Sequence, residues 1–480
     1  MLNSLLYDNN GIGENLPGQV FSDLRFEKFL PQSTISLLAR LPAANIIKKR
    51  QAVFRLLENE DFLGKFKELR RRLDELRDAK KRLDLADGKL SRCYALIMLA
   101  EKYLLCIEYF EELRGCELTD ALADNWSSIL PERKNALGSW LSDTKARLLK
   151  SSEFLLTLHD GIRLSESDGS ASYIESLRGC LFTLGLGHGE KSDLSLKMPA
   201  ELDSSVIALF SETLGDSTDI QFDFLENDLD ALLLLIGEID FYLNINDLID
   251  SARSKKIPVC YPELSDNKIF DAKDICDISL LNECEIVPND AYFSDDSPFY
   301  FVKGANGGGK TTFLRAVGIN LLLFLSGAPI FASKAKIFPF TKVFTHFPAD
   351  ELTISTGRFA DECARADEMI AQADSRSFLL LNETYCGTND ELGCRLALKA
   401  AEQICEKSAF GLFVTHFSRV EYSRFGILKA VVTENSGQRT YKIVNSGVGR
   451  GSYALDILKK YRLDADSLII RAKSQKGAAE

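Results

Sequence analysis

From Phe62 the apolar positions fall at Phe62, Phe66, Leu69, Leu73, Leu76 and Leu83. Steps of four and three residues predict a long helix with a narrow, coiled-coil-like seam. A second helical stretch covers Ser91–Leu113. A matching stripe returns much later at Leu225, Leu229, Leu232, Ile236, Ile239 and Leu243. That stripe predicts a helix packed antiparallel on the first set. Between the arms, roughly Glu117–Phe224 reads as a mixed, inserted tip, with loop signals in Ser165–Ser172 and Gly185–Lys191.

From about Pro258 the pattern changes to short apolar runs separated by turn residues, then to alternating strands and helices. Phe299–Val302, Phe378–Leu381 and Gly411–Thr415 are continuous apolar runs. Strands covered on both faces read this way, so a mainly parallel sheet is expected. The expected architecture is an α/β domain over residues 258–480 behind a mostly α-helical region over residues 1–257. No internal repeat or low-complexity tract stands out.

Charge narrows the partners. The chain has 480 residues, 45% of them hydrophobic and 27% charged, with net charge −12. That is a soluble globular composition and is unfavourable for a dedicated nucleic-acid binder. The first long helix carries Arg70, Arg71, Arg72, Arg77, Lys80, Lys81 and Arg82, which read as a solvated face paired with nearby Glu and Asp rather than a DNA contact. Residues 151–225 hold four basic against thirteen acidic side chains, the wrong balance for gripping phosphate. Eleven cysteines without C-x-x-C or C-x-x-H spacing suggest free thiols in a reducing cytoplasm and no structural zinc. The first residues carry early acids and no basic-then-apolar order, so no leader is expected. Its longest apolar run, Ala316–Ala332, contains Asn320, Gly327 and Pro329, so a buried helix is expected and not a membrane span.

The candidate chemistry begins at Gly304-Ala305-Asn306-Gly307-Gly308-Gly309-Lys310-Thr311, which fits G-x-x-x-x-G-K-[ST]. An apolar run precedes it, and a helical run opens at Thr312. Backbone N–H groups of such a loop and of the following helix point at phosphates. Lys310 would reach the β- and γ-phosphates of ATP, and Thr311 would ligate Mg²⁺. A hydrolase also needs a strand that ends in a metal-side group and a base. Ser377–Asn382 followed by Glu383 supplies one, with Glu383 placed to orient or deprotonate water. Asn382 stands where an Asp would steady Mg²⁺; an amide oxygen is the weaker ligand, so slower turnover is expected. Gly387-Thr388-Asn389 reads as a turn suited to cross-subunit contact. The next strand ends in Thr415-His416, at the edge where open α/β sheets bind ligands, and that imidazole would sense the γ-phosphate.

Together these residues resemble the ATPase domain of the MutS family of DNA mismatch-repair proteins. Val287-Pro288-Asn289-Asp290 looks like that family's V-P-N-D element, which places Val287 and Asn289 beside the adenine. The loop resembles G-P-N-x-x-G-K-S, with Asn306 on the family's Asn. Leu379 to Asn389 resembles L-x-x-D-E-x-G-R-G-T-S. Val414-Thr415-His416 resembles A-T-H, and Ser452-Tyr453 resembles the late S-[YF]-G element. The match covers about Pro258–Lys473. Upstream, Leu41-Pro42 through Leu56 looks like the start of the family's helical core, the paired arms its levers, and the acidic insert its clamp. The resemblance implies an ABC-like P-loop ATPase fold, ATP, ADP and Mg²⁺ as ligands, a homodimer that includes helical residues Asp464–Ser474, and duplex, mismatched or branched DNA held by non-specific backbone contacts through the arms.

The departures are specific. No room is expected before residue 20 for mismatch-reading and connector domains, so no Phe-x-Glu wedge is expected, and no Smr-type nuclease domain is expected after the ATPase. Asn382 replaces an acid. In the segment that completes a partner's site the family has Ser-Thr-Phe, whereas Gly357 takes the serine's place here, leaving Thr356 or Ser355 as substitutes. Two further readings remain open: an ATP-gated scaffold that binds proteins and not DNA, and an ABC- or SMC-like ATPase. The absence of L-S-G-G-Q and the presence of V-P-N-D disfavour the last.

Overall fold

A computed structural model describes residues 4–6, 12–86, 89–150, 154–158, 162–166, 222–348, 358–432 and 439–446. The expected dimer helix Asp464–Ser474, the Ser452-Tyr453 element, Ser355, Thr356 and Gly357, and the loop signals in Gly185–Lys191 lie outside these residues. The chain divides into two compact units. One comprises residues 1–13, 30–251 and 325–329; the other comprises residues 14–29, 252–324 and 330–480.

The first unit is helical: α1 (Ala44–Leu57), α2 (Glu60–Asp84), α3 (Lys89–Glu108), α4 (Glu117–Lys150) and α5 (Asp223–Ser254). Asn59 starts α2 because its side chain accepts from the Asp61 and Phe62 N–H groups. Glu60 and Asp61 in the first turn and Lys81 and Arg82 in the last complement the helix dipole. The buried seam is Phe62, Phe66, Leu69, Leu73, Leu76 and Ala79. It ends one turn early, because Leu83 is only half-buried. Each such Leu or Phe contributes roughly 1.5–3 kcal/mol by leaving water.

Helix α5 returns antiparallel. Arg70 meets Asp240 through two hydrogen bonds of 2.6 and 3.0 Å, and Lys80 meets Asp230 at 2.9 Å, so numbering falls along one helix as it rises along the other. Its buried stripe runs through Leu225, Leu229, Leu232, Leu235, Ile239 and Tyr242. It drifts off the expected positions, because Ile236 and Leu243 are half-buried. The stretch from Glu117 departs from the mixed reading. It opens with a 34-residue helix, α4, that runs through Pro131. Trp126 is fully buried and stacks on Phe110 at 5.4 Å. Lys134 pairs with Glu108 and Lys145 with Glu101, so α4 lies antiparallel to α3. Beyond it, strands Phe154–Leu158 and Ile162–Glu166 pair as an antiparallel hairpin.

The second unit is α/β. Its strands are β1 (Ile269–Ile275), β2 (Asn289–Ser294), β3 (Phe299–Lys303), β4 (Lys334–Ile337), β5 (Lys342–His346), β6 (Ser377–Asn382), β7 (Phe410–Val414), β8 (Gly426–Val432) and β9 (Arg439–Asn445). The larger sheet has the order β5-β6-β7-β3-β8-β9, parallel except for β9. A smaller sheet joins Glu263–Leu264, β4, β1 and β2. Helix α6 (Lys310–Leu325) follows β3 and is almost wholly buried. Helices α7 (Arg358–Gln372) and α8 (Asp390–Glu406) share a core with β6, β7 and β3 through Ala366, Ile370, Ala397, Ile404, Leu379 and Phe413. The segment 14–29 also belongs here: Thr345 donates to the Asp23 carboxylate at 2.6 Å, and Arg315 of α6 donates to the Asp23 carbonyl at 3.1 Å. Among the described residues no helix is long and apolar enough to cross a membrane.

Candidate functional site

Parallel register brings the strand ends into one row. Asn382 lies opposite Val414, and Val414 opposite Val302. The residues that follow these three strands, Glu383, Thr415 and Gly304, therefore emerge at one edge of the sheet. Carboxyl ends of parallel strands are where α/β sheets bind ligands.

The loop after β3 folds as its glycines require. Gly304 has φ 137°, and a Cβ there would fall 2.7 Å from the Ala430 methyl of β8. Gly307 has φ 68° and lies under the Arg439 guanidinium of β9. Asn306 and Gly307 are exposed at the tip, Gly308 is buried, and the Gly308 N–H donates to the Ala305 carbonyl at 3.0 Å. Gly309 closes the loop, and its carbonyl accepts from the Phe313 N–H in the first turn of α6. Thr312 sits half-buried in that same turn.

Lys310 is only 5% exposed. Its ammonium donates to the Gly304 carbonyl at 2.9 Å and the Ala305 carbonyl at 3.1 Å. Burial holds its pKa below the ordinary lysine value, and the Glu383 charge opposes that shift. A cation poised on the loop's own carbonyls is a fit for a phosphate group, which would exchange weak acceptors for charged ones. Thr311 donates its hydroxyl to the Asn382 amide oxygen at 3.0 Å. Two hard oxygens meet there across 71 positions of sequence. Among the described residues no cluster of three or more His, Cys, Asp or Glu is placed to hold a metal. The Thr311 hydroxyl and the Asn382 amide oxygen are hard donors of the kind that suits Mg²⁺, which takes few protein oxygens and completes its shell with water and phosphate.

Glu383 follows β6 in the left-handed region, with φ 51°, and Tyr385 repeats this with φ 69°. Such backbone costs about 1–3 kcal/mol per residue and gathers at working sites. The Glu383 carboxylate accepts from His416 Nε2 at 2.7 Å. That hydrogen bond is the main cause of a carboxyl pKa below the ordinary value; burial opposes it, and the Lys310 charge adds to it. Both side chains are about one-third exposed, so the pair is open to small reactants.

The structure thus joins Thr311 to Asn382 and Glu383 to His416 beside the loop that holds Lys310. It gives Asn289 a different immediate task. The Asn289 amide donates to the Val287 carbonyl at 3.2 Å and the Tyr441 carbonyl at 3.1 Å, and accepts from the Ile443 N–H at 2.7 Å. Asn289 straps β2 to β9, while Val287 is half-buried and contributes its carbonyl. Asn389 is the N-cap of α8, its side chain accepting from the Leu392 N–H at 2.8 Å.

Sequence reasoning missed Tyr441 and His346. Tyr441 packs against Gly309 with φ 57° and stays 47% exposed. No motif marks it. His346 ends β5 and bonds Thr384, the neighbour of Glu383. Its signal was present, since Val343–His346 is a short strand ending in histidine, as is the run before His416.

Residues 300–476 match the family model described as MutS domain V. The chain is 30% identical over 257 residues to the DNA mismatch repair protein MutS of Fervidobacterium nodosum, an overlap of 51% of this chain and 30% of that protein. It is 27% identical over 250 residues to Endonuclease MutS2 of Bacillus mycoides, covering 50% of this chain and 31% of that protein. It is 30% identical over 255 residues to Endonuclease MutS2 of Streptococcus suis, covering 50% and 30%. The overlaps span about a third of the length of these curated relatives.

Proposed function

We propose that this chain, which belongs to the MutS family, is an ATP-hydrolysing switch that works as a dimeric clamp on DNA, in mismatch repair or related processing of DNA structure. The observation that carries the reading is the 3.0 Å bond between Thr311 and Asn382 beside the Glu383–His416 pair. Residues 1–257 would be its helical core and levers, and 258–480 its ATPase domain.

ATP seats its phosphates on the N–H groups of residues 304–312 and the start of α6. Lys310 leaves the Gly304 and Ala305 carbonyls for the β- and γ-phosphates. Thr311 and Asn382 would hold Mg²⁺, which would neutralise developing phosphate charge when bound. Water adds to the γ-phosphorus, and the bond to the bridging oxygen breaks towards ADP. Glu383 orients that water and accepts its proton. His416 holds Glu383 ionised and senses the γ-phosphate. Because an amide oxygen is a weaker ligand than a carboxylate, turnover is slow. Val287 and Asn289 line the adenine side, with Asn289 acting through the β2–β9 strap. Two copies face each other across their nucleotides, and exchange of ATP for ADP shifts the arrangement of the arms. Free thiols at the ten described cysteines support a cytoplasmic setting.

A second reading, a scaffold for proteins and not DNA, is favoured by one observation. Arg70, Arg71, Arg72, Arg77 and Lys80 on α2 all pair with acids of α2 or α5. ATPase assays with homoduplex, mismatched and branched DNA, alongside duplex titrations at several salt concentrations, test the proposal. DNA-stimulated hydrolysis and affinity that falls steeply with salt are expected. Absence of binding at low salt selects the scaffold.

A further inference from the structure

His346 ends β5 and is 1% exposed. Strand β5 runs parallel to β6 with His346 opposite Leu381, so its ring reaches over the end of β6. Nδ1 lies 2.9 Å from the Thr384 hydroxyl, and Nε2 lies 3.2 Å from a guanidinium nitrogen of Arg365 on α7. The same Arg365 nitrogen donates to the Phe347 carbonyl at 2.9 Å. The ring so stands between the Thr384 hydroxyl and the Arg365 guanidinium. Burial, then the Arg365 charge, pushes the imidazole down to about 4, which keeps the ring neutral near pH 7.

Thr384 is fully buried between two left-handed residues, Glu383 and Tyr385. Residues other than glycine keep that conformation only where their surroundings fix it. On the Glu383 side the backbone N–H donates to the Val414 carbonyl at 2.8 Å. On the other side the Tyr385 ring is buried near Phe413. His346 supplies the side-chain tether in the middle. We propose that His346, oriented by Arg365, is a positioning residue that fixes the Glu383–Thr384–Tyr385 turn and thereby aims the Glu383 carboxylate at the reacting water. This rests on the reading of Glu383 as the group that handles that water. A histidine that merely fills the core would support the fold and leave the chemical step no more sensitive than nucleotide binding.

The test compares the full chain with Thr384→Val, Thr384→Ser, His346→Leu and Glu383→Gln, measuring kcat, KM and the affinity for a fluorescent ATP analogue. Thermal unfolding reports the folded fraction of each. Thr384→Val and His346→Leu are expected to lower kcat at least tenfold, with KM and nucleotide affinity within about twofold. Thr384→Ser recovers most of kcat. The double variant His346→Leu, Thr384→Val loses no more than either single one, since both remove one bond, and Thr384→Val adds nothing to Glu383→Gln. Wild-type kcat in folded Thr384→Val, with Glu383→Gln inactive, overturns the inference and leaves the Glu383 reading standing. Equal losses of kcat and nucleotide affinity, not recovered by serine, overturn it in favour of a structural role. Full activity in Glu383→Gln removes the Glu383 reading and the inference with it.

Discussion

The Thr311 hydroxyl donates to the Asn382 amide oxygen at 3.0 Å, so the first turn of α6 and the end of β6 present two oxygens to one point. An amide carries no charge there. Asn382→Asp supplies a carboxylate that still accepts from Thr311. The variant is expected to need about tenfold less Mg²⁺ for half-maximal hydrolysis and to turn over faster, because carboxylates are the usual Mg²⁺ donors. A magnesium titration of ATPase activity checks this. An unchanged midpoint places the metal elsewhere.

In the proposed mechanism Lys310 serves binding and Glu383 serves chemistry. Lys310→Ala leaves the loop without its buried cation and is expected to abolish binding of a fluorescent ATP analogue. Glu383→Gln keeps shape and hydrogen bonding but cannot take a proton. It is expected to retain nucleotide affinity while kcat drops about 10²–10⁴-fold. Retained turnover in the glutamine variant refutes the assignment of Glu383.

The pH profile follows from the hydrogen bond between His416 and Glu383. That bond, ahead of the Lys310 charge, holds the carboxyl below its ordinary value of 4.5. In the proposed mechanism the working form of Glu383 is ionised, so activity should persist as pH falls past that value and fail only as pH drops through the depressed one. The same shift adds stability that is present above the ordinary value and is lost over the same lower window. His416→Phe removes the donor, and the acid limb of kcat should move up towards 4.5. The midpoint of a kcat–pH curve, with far-ultraviolet dichroism to follow the fold, decides it. A limb that stays in place means that His416 does not set the charge of Glu383.

Much of the site was legible because its parts are local. A strand, a glycine loop and a helix start lie within one motif, and strands covered on both faces appear as unbroken apolar runs such as Phe378–Leu381. What was not legible depends on distant partners. Helix α4 carries Pro131 and Gly138, which cost roughly 3 and 1 kcal/mol in a helix interior. Burial of Trp126, Leu137 and Trp140 outweighs them, and no local window reveals that burial. The Asn289 strap to β9 closes over 154 positions, and the His346–Thr384 bond over 38. Neither pairing follows from spacing along the chain.

The helical unit holds a buried charge cluster whose disruption should be costly. Asp228 is 7% exposed and accepts from Tyr103 at 2.6 Å and from Arg133 at 3.0 Å. Arg133→Met leaves the carboxylate buried with the phenol alone, and loss of one member of a buried pair typically costs about 3–5 kcal/mol. Tyr103→Phe removes one charge-assisted hydrogen bond, for about 1.5–3 kcal/mol. Urea unfolding followed at Trp126 and Trp140 should rank the variants in that order, with the arginine change the worse.

The arm surface gives the sharpest choice between DNA clamp and protein scaffold. Helix α2 carries nine cations and seven anions, so its face is nearly neutral. Glu68 binds both Arg71 and Arg72, Glu75 binds Arg71, and Asp74 binds Arg70 and Arg77. Exposed pairs of this kind are worth at most about 1 kcal/mol each, so they do not lock the arginines away from a phosphate. What they do is cancel the field that would draw one in. The variant Glu68→Gln, Asp74→Asn, Glu75→Gln keeps side-chain size and releases Arg71 and Arg72 from their acids, while Arg70 keeps Asp240. If the arms contact DNA, duplex affinity should rise, and the slope of log K against log salt should steepen by about 0.9 for each phosphate gained. Arg71→Ala in the wild-type background should then weaken binding uniformly across sequences. A slope identical to wild type in both variants would exclude α2 from the DNA path and leave the arms to a protein partner.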